Sequence, residues 1–309
     1  MRTHNSFRTS RFYLSIFCAG AVAAGLSFNA AGLSLSTSAQ ITVDGTLDPA
    51  YGSALAVQTI NTGFGDSTVG DGTSAGGSEL DAAYGTMQGG YLDIFLAGNF
   101  EDNGNHVNVF VSDGAGGQNT LNVAPTATLQ TMNGSVFSPG FNANLAIDLN
   151  DYQGTAYIEE YVGAALNGGY VGAIGLSGGI GTGSPGPNGI LYGFNDTHVS
   201  TMGATGTAAN PAAMLSTTTG LEIGIPLSSL AGYTSGSINV LADINGGGDD
   251  WLSDQFLPGL GVGTGNLGSP GTFNFGSTPG EYFTVVPEPG TITLLGLSLA
   301  GWLSSRRRK

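Results

Sequence analysis

Hydrophobic and polar residues alternate in short runs between residues 40 and 286, and this period of two predicts β-strands. The clearest runs are residues 91–98, 107–111, 144–149, 155–162, 169–174, 220–225, 238–243 and 281–285. Glycine-rich stretches such as residues 63–78 and 175–189 lie between them and predict long loops. No long run has the 3.6-residue period of an amphipathic helix. We therefore predict an all-β fold, an antiparallel, jelly-roll-like β-sandwich with long Gly-rich loops.

Residues 1–39 depart from this pattern. Arg2, Arg8 and Arg11 precede a long apolar stretch, and the small residues Thr37-Ser38-Ala39 follow it. This order of basic, apolar and small residues predicts a secretory signal peptide over residues 1–39. Cleavage after Ala31 is a second possibility, and a retained N-terminal anchor is the alternative to cleavage.

A second apolar run occupies the sixteen positions between Pro289 and Arg306. As a helix it would be about 24 Å long, which is short for a bilayer core of about 30 Å. Arg306, Arg307, Arg308 and Lys309 would hold its end on the cytoplasmic side. We predict a short C-terminal transmembrane helix, with a C-terminal core helix as the alternative. The predicted division is thus residues 1–39, a body of residues 40–286, and residues 287–309.

The C-terminal segment also resembles a known family. Val286, Pro287, Glu288 and Pro289, an apolar run, and then Arg306, Arg307, Arg308 and Lys309 are similar to the PEP-CTERM sorting signal. The resemblance implies export by the secretion machinery of a Gram-negative bacterium, transient recognition by an exosortase in the inner membrane, and delivery to the cell surface or the extracellular space. Exopolysaccharide is the further partner that it suggests.

The body resembles, more weakly, the sugar-binding sandwiches of the CBM9-like and DOMON-like group. Residues 41–48 are similar to the opening strand of that group, and residues 220–227 to a later strand and turn. The resemblance implies a β-sandwich fold. The resemblance is weaker support for sugar binding than for the fold, because CBM9 domains hold sugar between tryptophans and the body contains only Trp251.

Charge narrows the classes of partner. All seven Lys and Arg residues lie outside residues 40–286, whereas 21 of the 22 acidic residues lie inside them. An acidic surface without cationic residues repels nucleic acids and anionic lipids, so we predict no nucleic-acid partner. The body also contains no cysteine, which excludes disulfides and thiolate chemistry there.

Residues 243–254 form the densest polar cluster. Asp243, Asn245, Asp249 and Asp254 occupy positions 1, 3, 7 and 12, a spacing similar to that of a Ca²⁺-binding loop. We therefore predict no cofactor other than a candidate Ca²⁺ ion bound by these four residues, and a solvated acidic loop is the alternative to Ca²⁺ binding. Trp251 and Phe256 are candidates for stacking against a sugar, with packing at a sheet edge as the alternative for Trp251.

Catalytic patterns are scarce. His106 and His198 are expected to be exposed loop residues, and Glu159 and Glu160 are expected to face opposite sides of a strand. We therefore predict no enzymatic activity and expect an exported surface or matrix protein with a structural or adhesive role. The alternative is a carbohydrate-binding module that recognises exopolysaccharide, and an extracellular glycan hydrolase has the least support.

Overall fold

The computed structural model describes residues 40–62, 64, 77–125, 128–198, 206–278 and 281–287. These residues form thirteen strands and one short α-helix, α1 (Pro211–Met214), with a few 3-10 turns. No helix in these ranges is long and apolar enough to cross a lipid bilayer. The predicted signal peptide and the predicted C-terminal helix both lie outside them.

The strands form two antiparallel sheets, as the alternation predicts. The first sheet contains, in spatial order, β1 (Ala56–Val57), β2 (Glu79–Gln88), β3 (Tyr91–Asn99), β10 (Gly220–Pro226), β9 (Leu191–Asn195) and β8 (Ile180–Gly183). The second contains β12 (Leu252–Leu257), β11 (Ile238–Asn245), β4 (Asn103–Ser112), β5 (Leu145–Tyr152), β6 (Thr155–Val162) and β7 (Asn167–Gly175), and β13 (Phe283–Val285) pairs with β11. The all-β prediction is therefore confirmed.

One core lies between the two sheets. Alternate residues of facing strands, such as Ile94 on β3 and Val109 on β4, are fully buried in a single apolar cluster. Each buried Val, Leu or Ile side chain stabilises the fold by about 1.5–3 kcal/mol relative to exposure. The polar residues between them are thereby directed to the outer faces of the sheets.

A second core covers part of the outer face of the second sheet. The chain between β4 and β5 and the chain between β12 and β13 pack on this face. Phe137 lies at the centre of this second core, with its ring 5.0 Å from that of Phe110, 5.1 Å from Phe141 and 5.4 Å from Phe275. Polar side chains on this outer face, which would be exposed in a simple two-sheet sandwich, are therefore buried where the second core covers them.

Some expectations about single elements are wrong. Residues 41–48 do not form a strand; only Thr46 makes an isolated antiparallel bridge, to Thr219. The predicted loop 175–189 contains β8. The clear runs also omit β2 and β12, whose polar residues are largely buried and thus obscure the alternation.

Candidate functional site

A row of polar side chains crosses the outer face of the second sheet. Asp243 on β11 is opposite Asn108 on β4, Asn108 is opposite Asp148 on β5, and Asp148 is opposite Glu159 on β6. Directly opposed residues on one face have Cβ atoms about 4.5–5.5 Å apart. The strand register thus brings together side chains that are more than 130 residues apart in the chain.

His106 lies in the neighbouring row and joins this set. Its Nδ1 donates to Asp148 Oδ1 at 2.6 Å and is 3.7 Å from Asp249 Oδ2. His106 is 6% exposed, Asp148 2% and Asp249 0%. The expectation that His106 is an exposed loop residue is wrong, because it lies within β4 and the hairpin between β11 and β12 covers it. We call His106, Asn108, Asp148, Asp243 and Asp249 the acidic cluster.

Asn108 connects the two most buried carboxylates of the acidic cluster. Its Nδ2 is 2.9 Å from Asp249 Oδ1 and 3.4 Å from Asp243 Oδ1. The remaining oxygens of these residues, Asn108 Oδ1, Asp243 Oδ2 and Asp249 Oδ2, are buried and have no hydrogen-bond partner. A buried polar atom without a hydrogen-bond partner lowers the stability of the folded state by about 1–3 kcal/mol. Three such atoms close together are therefore a feature of the cluster that requires an explanation.

Burial shifts the proton affinities of the acidic cluster. Desolvation lowers the pKa of His106, but the nearby Asp148 and Asp249 carboxylates outweigh it and the pKa is about 9. Burial raises the pKa of Asp243 to about 8 and that of Asp249 well above its usual range. The raised pKa values favour retention of protons in the cluster, and no lysine or arginine is present in the described segments to neutralise its carboxylates.

The turn between β11 and β12 positions Asp249. Asn245 Oδ1 accepts from the backbone N–H groups of Gly246 and Trp251 at 3.0 and 2.9 Å and closes this turn. Thr131 Oγ1 donates to the backbone carbonyl of Asp249 at 2.6 Å, so the covering chain also holds the turn. Asp249 has a φ of +52°, in the left-handed region that aspartate tolerates better than most residues.

A cavity of about 470 Å³ opens next to the acidic cluster. His106, Asp148 and Glu159 contribute its polar wall, and Gly247 and Gly248 of the turn form one rim. Tyr157 and Tyr170 also line it and are 41% and 61% exposed. We call this cavity the tyrosine cleft; it combines two solvent-facing aromatic rings with carboxylates.

The carboxylates that line the tyrosine cleft are already held in place. Asp148 accepts from His106, while Glu159 accepts from the hydroxyl of Tyr161 and lies 3.4 Å from the backbone nitrogen of Thr128. Glu160 faces the other side of β6, as expected, where it accepts from the hydroxyl of Tyr192 at 2.9 Å.

The structure brings together only two of the four residues predicted to bind Ca²⁺. Asp243 and Asp249 belong to the acidic cluster. The Asn245 side chain instead closes the turn. Asp254 on β12 is buried beside Gln255, and its backbone N–H donates to Asn266 Oδ1. The segment 243–254 is thus a strand, a turn and a strand rather than one chelating loop.

The two residues predicted to stack against sugar also separate. Trp251 is 53% exposed and its ring lies beside Gly268, outside the tyrosine cleft. Phe256 is 1% exposed and packs in the second core against Phe275. The stacking prediction is wrong for Phe256, because its ring has no face open to a ligand.

A smaller cluster lies on the first sheet. His198 Nε2 is 3.8 Å from both Glu79 Oε1 and Asp81 Oδ2, and Thr217 Oγ1 donates to Asp81 at 2.6 Å. Burial raises the pKa of Asp81 to about 6 despite the opposing effect of the Thr217 hydrogen bond, and burial lowers the pKa of His198. His198 thus lies in a loop after β9, as expected, but it is partly buried beside carboxylates rather than exposed.

Sequence patterns contain a faint signal for the acidic cluster. Asn108 interrupts the apolar run 107–111 and Asp148 the apolar run 145–149, and alternation places both on the outer face. The covering chain that buries them is a tertiary feature without a local pattern. The sequence therefore predicts only Asp243 and Asp249 of the five members, as Ca²⁺ ligands, and not His106, Asn108 or Asp148.

The last described residues lead into the predicted sorting segment. Val285 ends β13 and is buried, whereas Val286 is 62% exposed and Pro287 is also exposed. Glu288, Pro289, Arg306, Arg307, Arg308 and Lys309 lie outside the described residues. The chain therefore leaves the second sheet for solvent at the start of the Pro-Glu-Pro motif.

Comparison with known proteins identifies this segment. Residues 285–309 match the family model of the PEP-CTERM protein-sorting motif. No curated protein and no solved structure matches the chain. Residues 285–309 are therefore a PEP-CTERM protein-sorting motif, and the chain is an exported protein that passes through a membrane-associated intermediate and is processed by an exosortase.

Proposed function

We propose that this protein is a non-enzymatic surface or matrix protein that adheres by binding a neutral polysaccharide in the tyrosine cleft. The observation that carries the proposal is the pair of exposed rings, Tyr157 and Tyr170, beside the Asp148 and Glu159 carboxylates. Export and sorting by exosortase would deliver such a domain to the layer where polysaccharide is found.

The chemistry of the tyrosine cleft suits a sugar. The apolar face of a pyranose ring packs against an aromatic ring, and carboxylate oxygens accept hydrogen bonds from sugar hydroxyls. A volume of about 470 Å³ is in the range of small-ligand sites and accommodates a short stretch of a glycan chain. Tyr170 on β7 and Tyr157 on β6 lie on neighbouring strands, so two successive sugar units could each contact one ring.

Charge selects among glycans. The tyrosine cleft is lined by carboxylates, and the described segments contain no lysine or arginine to hold an anionic sugar. Uronic acids and sulfated or phosphorylated sugars would be repelled, which favours a neutral polysaccharide.

The arrangement of the carboxylates supports binding rather than hydrolysis. Glycosidases use one protonated carboxyl as general acid and a second carboxylate as nucleophile or base. Here Asp148 is paired with His106, and Glu159 with the Tyr161 hydroxyl. One oxygen of each carboxylate, Asp148 Oδ1 and Glu159 Oε2, is thus held by a protein partner, which fixes both groups as acceptors of sugar hydroxyls.

An array of neutral and acidic glycans, probed with the full-length chain in detergent, tests the proposal. We expect binding to a neutral glycan, loss of binding in Tyr170→Ala, and retention in Trp251→Ala, because Trp251 is exposed but lies outside the tyrosine cleft. Selective binding of acidic glycans, or loss of binding in Trp251→Ala alone, would contradict the site. Release of shorter products from a polysaccharide would contradict the non-enzymatic role.

A further inference from the structure

We propose that the acidic cluster binds one divalent transition-metal ion such as Zn²⁺, with His106 Nδ1 and carboxylate oxygens of Asp148 and Asp249 as its protein ligands. This inference does not depend on glycan binding. It concerns a buried site at the wall of the tyrosine cleft, and it shares only Asp249 with the predicted Ca²⁺ loop and differs from it in the metal.

The geometry of the three groups carries the proposal. One potential ligand atom from each of His106, Asp148 and Asp249 lies within 4.8 Å of the other two. An imidazole nitrogen and two carboxylates form a recurrent set of protein ligands for Zn²⁺ and related ions. The three residues come from β4, β5 and the turn before β12, so the fold brings them together from separate parts of the chain.

Unpartnered buried oxygens provide an independent observation. Asp249 is fully buried and no nitrogen or hydroxyl group donates to its Oδ2; this atom is directed towards the imidazole, 3.7 Å from His106 Nδ1, and the Asp148 carboxyl approaches the same side chain. Asp243 Oδ2, in the same cluster, also lacks a partner. Native proteins rarely leave such atoms unsatisfied, and an unplaced ion is one of the usual reasons.

Charge balance favours a cation at this position. Three carboxylates, those of Asp148, Asp243 and Asp249, are buried beside a single imidazole. Buried charges require pairing, and lysine and arginine are missing from the described segments, so a metal ion is the remaining source of positive charge other than protons. The ion would replace the proton on His106 Nδ1, since a protonated nitrogen has no lone pair for a metal.

The imidazole decides which class of ion fits. Ca²⁺ and Mg²⁺ prefer sites made of oxygen atoms, whereas imidazole suits Zn²⁺ and other transition-metal ions. Asn108 supports the site from outside, because its amide nitrogen contacts the oxygen of Asp249 that does not face His106. That hydrogen bond orients the carboxylate, as outer-shell partners of metal ligands commonly do.

The test uses the full-length chain, stripped with a chelator and then desalted after exposure to Zn²⁺ or Ca²⁺. We expect about one equivalent of retained Zn²⁺ by elemental analysis and a rise in Tm of about 5–10 °C at 100-fold excess over Kd. His106→Gln and Asp249→Asn should lose both effects. Asp254→Asn is the matched control, since Asp254 is an equally buried carboxylate outside the acidic cluster, and it should retain Zn²⁺.

A second measurement, the absorption spectrum of the wild-type chain loaded with Co²⁺, does not depend on any variant. It therefore tests the proposal even if the variants fail to fold. Visible d–d bands typical of a low-coordinate nitrogen and oxygen site are expected. Absence of these bands together with no retained Zn²⁺ would overturn the proposal. So would Zn²⁺ retention that is unchanged in folded His106→Gln, or retention of Ca²⁺ in preference to Zn²⁺.

Discussion

Glu222 on β10 illustrates, at the scale of single residues, how a buried carboxylate is accommodated without a cationic partner. Its Oε2 accepts from the backbone N–H groups of Asp44 and Gly45 at 2.8 and 3.0 Å, and its Oε1 accepts from the Tyr51 hydroxyl at 2.9 Å. Burial raises its pKa to about 7 in spite of these hydrogen bonds. Glu222 thus connects the two segments, 41–48 and 220–227, that resemble sugar-binding sandwiches.

We predict that Glu222→Ala lowers the free energy of unfolding by about 1–3 kcal/mol, because three donors lose their acceptor. Glu222→Gln is the matched control. Its amide oxygen can accept from both backbone groups, and the Tyr51 hydroxyl can rotate to accept from its NH₂ group. Urea unfolding at pH 8 should find Glu222→Gln at least as stable as wild type, and equal losses in both variants would contradict this role.

The acidic cluster marks the limit of sequence reasoning at this scale. Alternation alone places Asn108 and Asp148 on the outer face of the second sheet, and it correctly separates Glu159 from Glu160. It does not reveal that the chain between β4 and β5 folds back over that face, because the covering contacts depend on Phe137 and other residues without a regular period. His106 was misassigned for the same reason.

At the scale of elements, apolar strands were predictable even where they are buried on both faces, as β3, β10 and β11 are, whereas strands with buried polar residues were not. The run 155–162 coincides with β6, whereas every residue of β12 is buried and Ser253, Asp254 and Gln255 interrupt its apolar pattern. β12 is buried on both sides because the second core lies on its outer face. Three successive polar residues in a fully buried strand match no strand pattern, and the sequence-based prediction therefore fails there.

The contact between β9 and residues 44–45 shows why glycine is needed at one strand position. A Cβ on Gly193 would lie 2.6 Å from the backbone nitrogens of both Asp44 and Gly45. The same two backbone N–H groups donate to Glu222. The close approach of residues 44–45 to Gly193 therefore places these groups where Glu222 can accept from them. The sequence shows this glycine but gives no reason for it.

We predict that Gly193→Ala destabilises the domain by about 1–3 kcal/mol, because the backbone atoms it would meet cannot move aside as a side chain can. Gly175→Ala on β7 is the control, since a Cβ there meets nothing within 4 Å. It should change stability by less than about 0.5 kcal/mol. Thermal or urea unfolding measures the loss of stability in each variant. Equal losses in Gly193→Ala and Gly175→Ala would contradict the requirement for glycine at position 193.

At the scale of the whole molecule, the dominant feature is burial of many acids without lysine or arginine. Fourteen carboxylate side chains are buried, and the described segments contain no lysine or arginine. The buried acids are Glu79, Asp81, Asp93, Glu101, Asp113, Asp148, Asp151, Glu160, Asp196, Glu222, Asp243, Asp249, Asp254 and Glu281. Hydrogen bonds and retained protons, together with the metal ion proposed above, would therefore take the place of salt bridges to lysine and arginine.

This composition predicts an unusual dependence of stability on pH. Burial raises the pKa of Asp93 to about 6 and that of Glu222 to about 7, so the folded state binds more protons than the unfolded state below these values. Stability then falls as pH rises from about 4.5 to 7, the reverse of ordinary acid denaturation. His198 opposes this below pH 6.5, because burial lowers its pKa, but it is a single group.

Thermal unfolding in chelator-containing buffer measures this dependence. We expect a higher Tm at pH 5 than at pH 8, and Glu222→Gln should reduce the difference because it removes one of the titrating groups. A Tm that increases steadily from pH 5 to pH 8 would show that the buried carboxylates are stabilised as anions and would contradict the prediction.

Calorimetric titration of a neutral oligosaccharide, chosen from the array, into the full-length chain tests the central claim that the tyrosine cleft is an adhesive glycan site. Wild type should bind one equivalent. Tyr157→Ala and Tyr170→Ala should each weaken Kd by about tenfold, since each ring contributes roughly 1.4 kcal/mol, and Trp251→Ala should match wild type. Unchanged Kd in both folded tyrosine variants, or no heat of binding with any neutral glycan, would contradict the account.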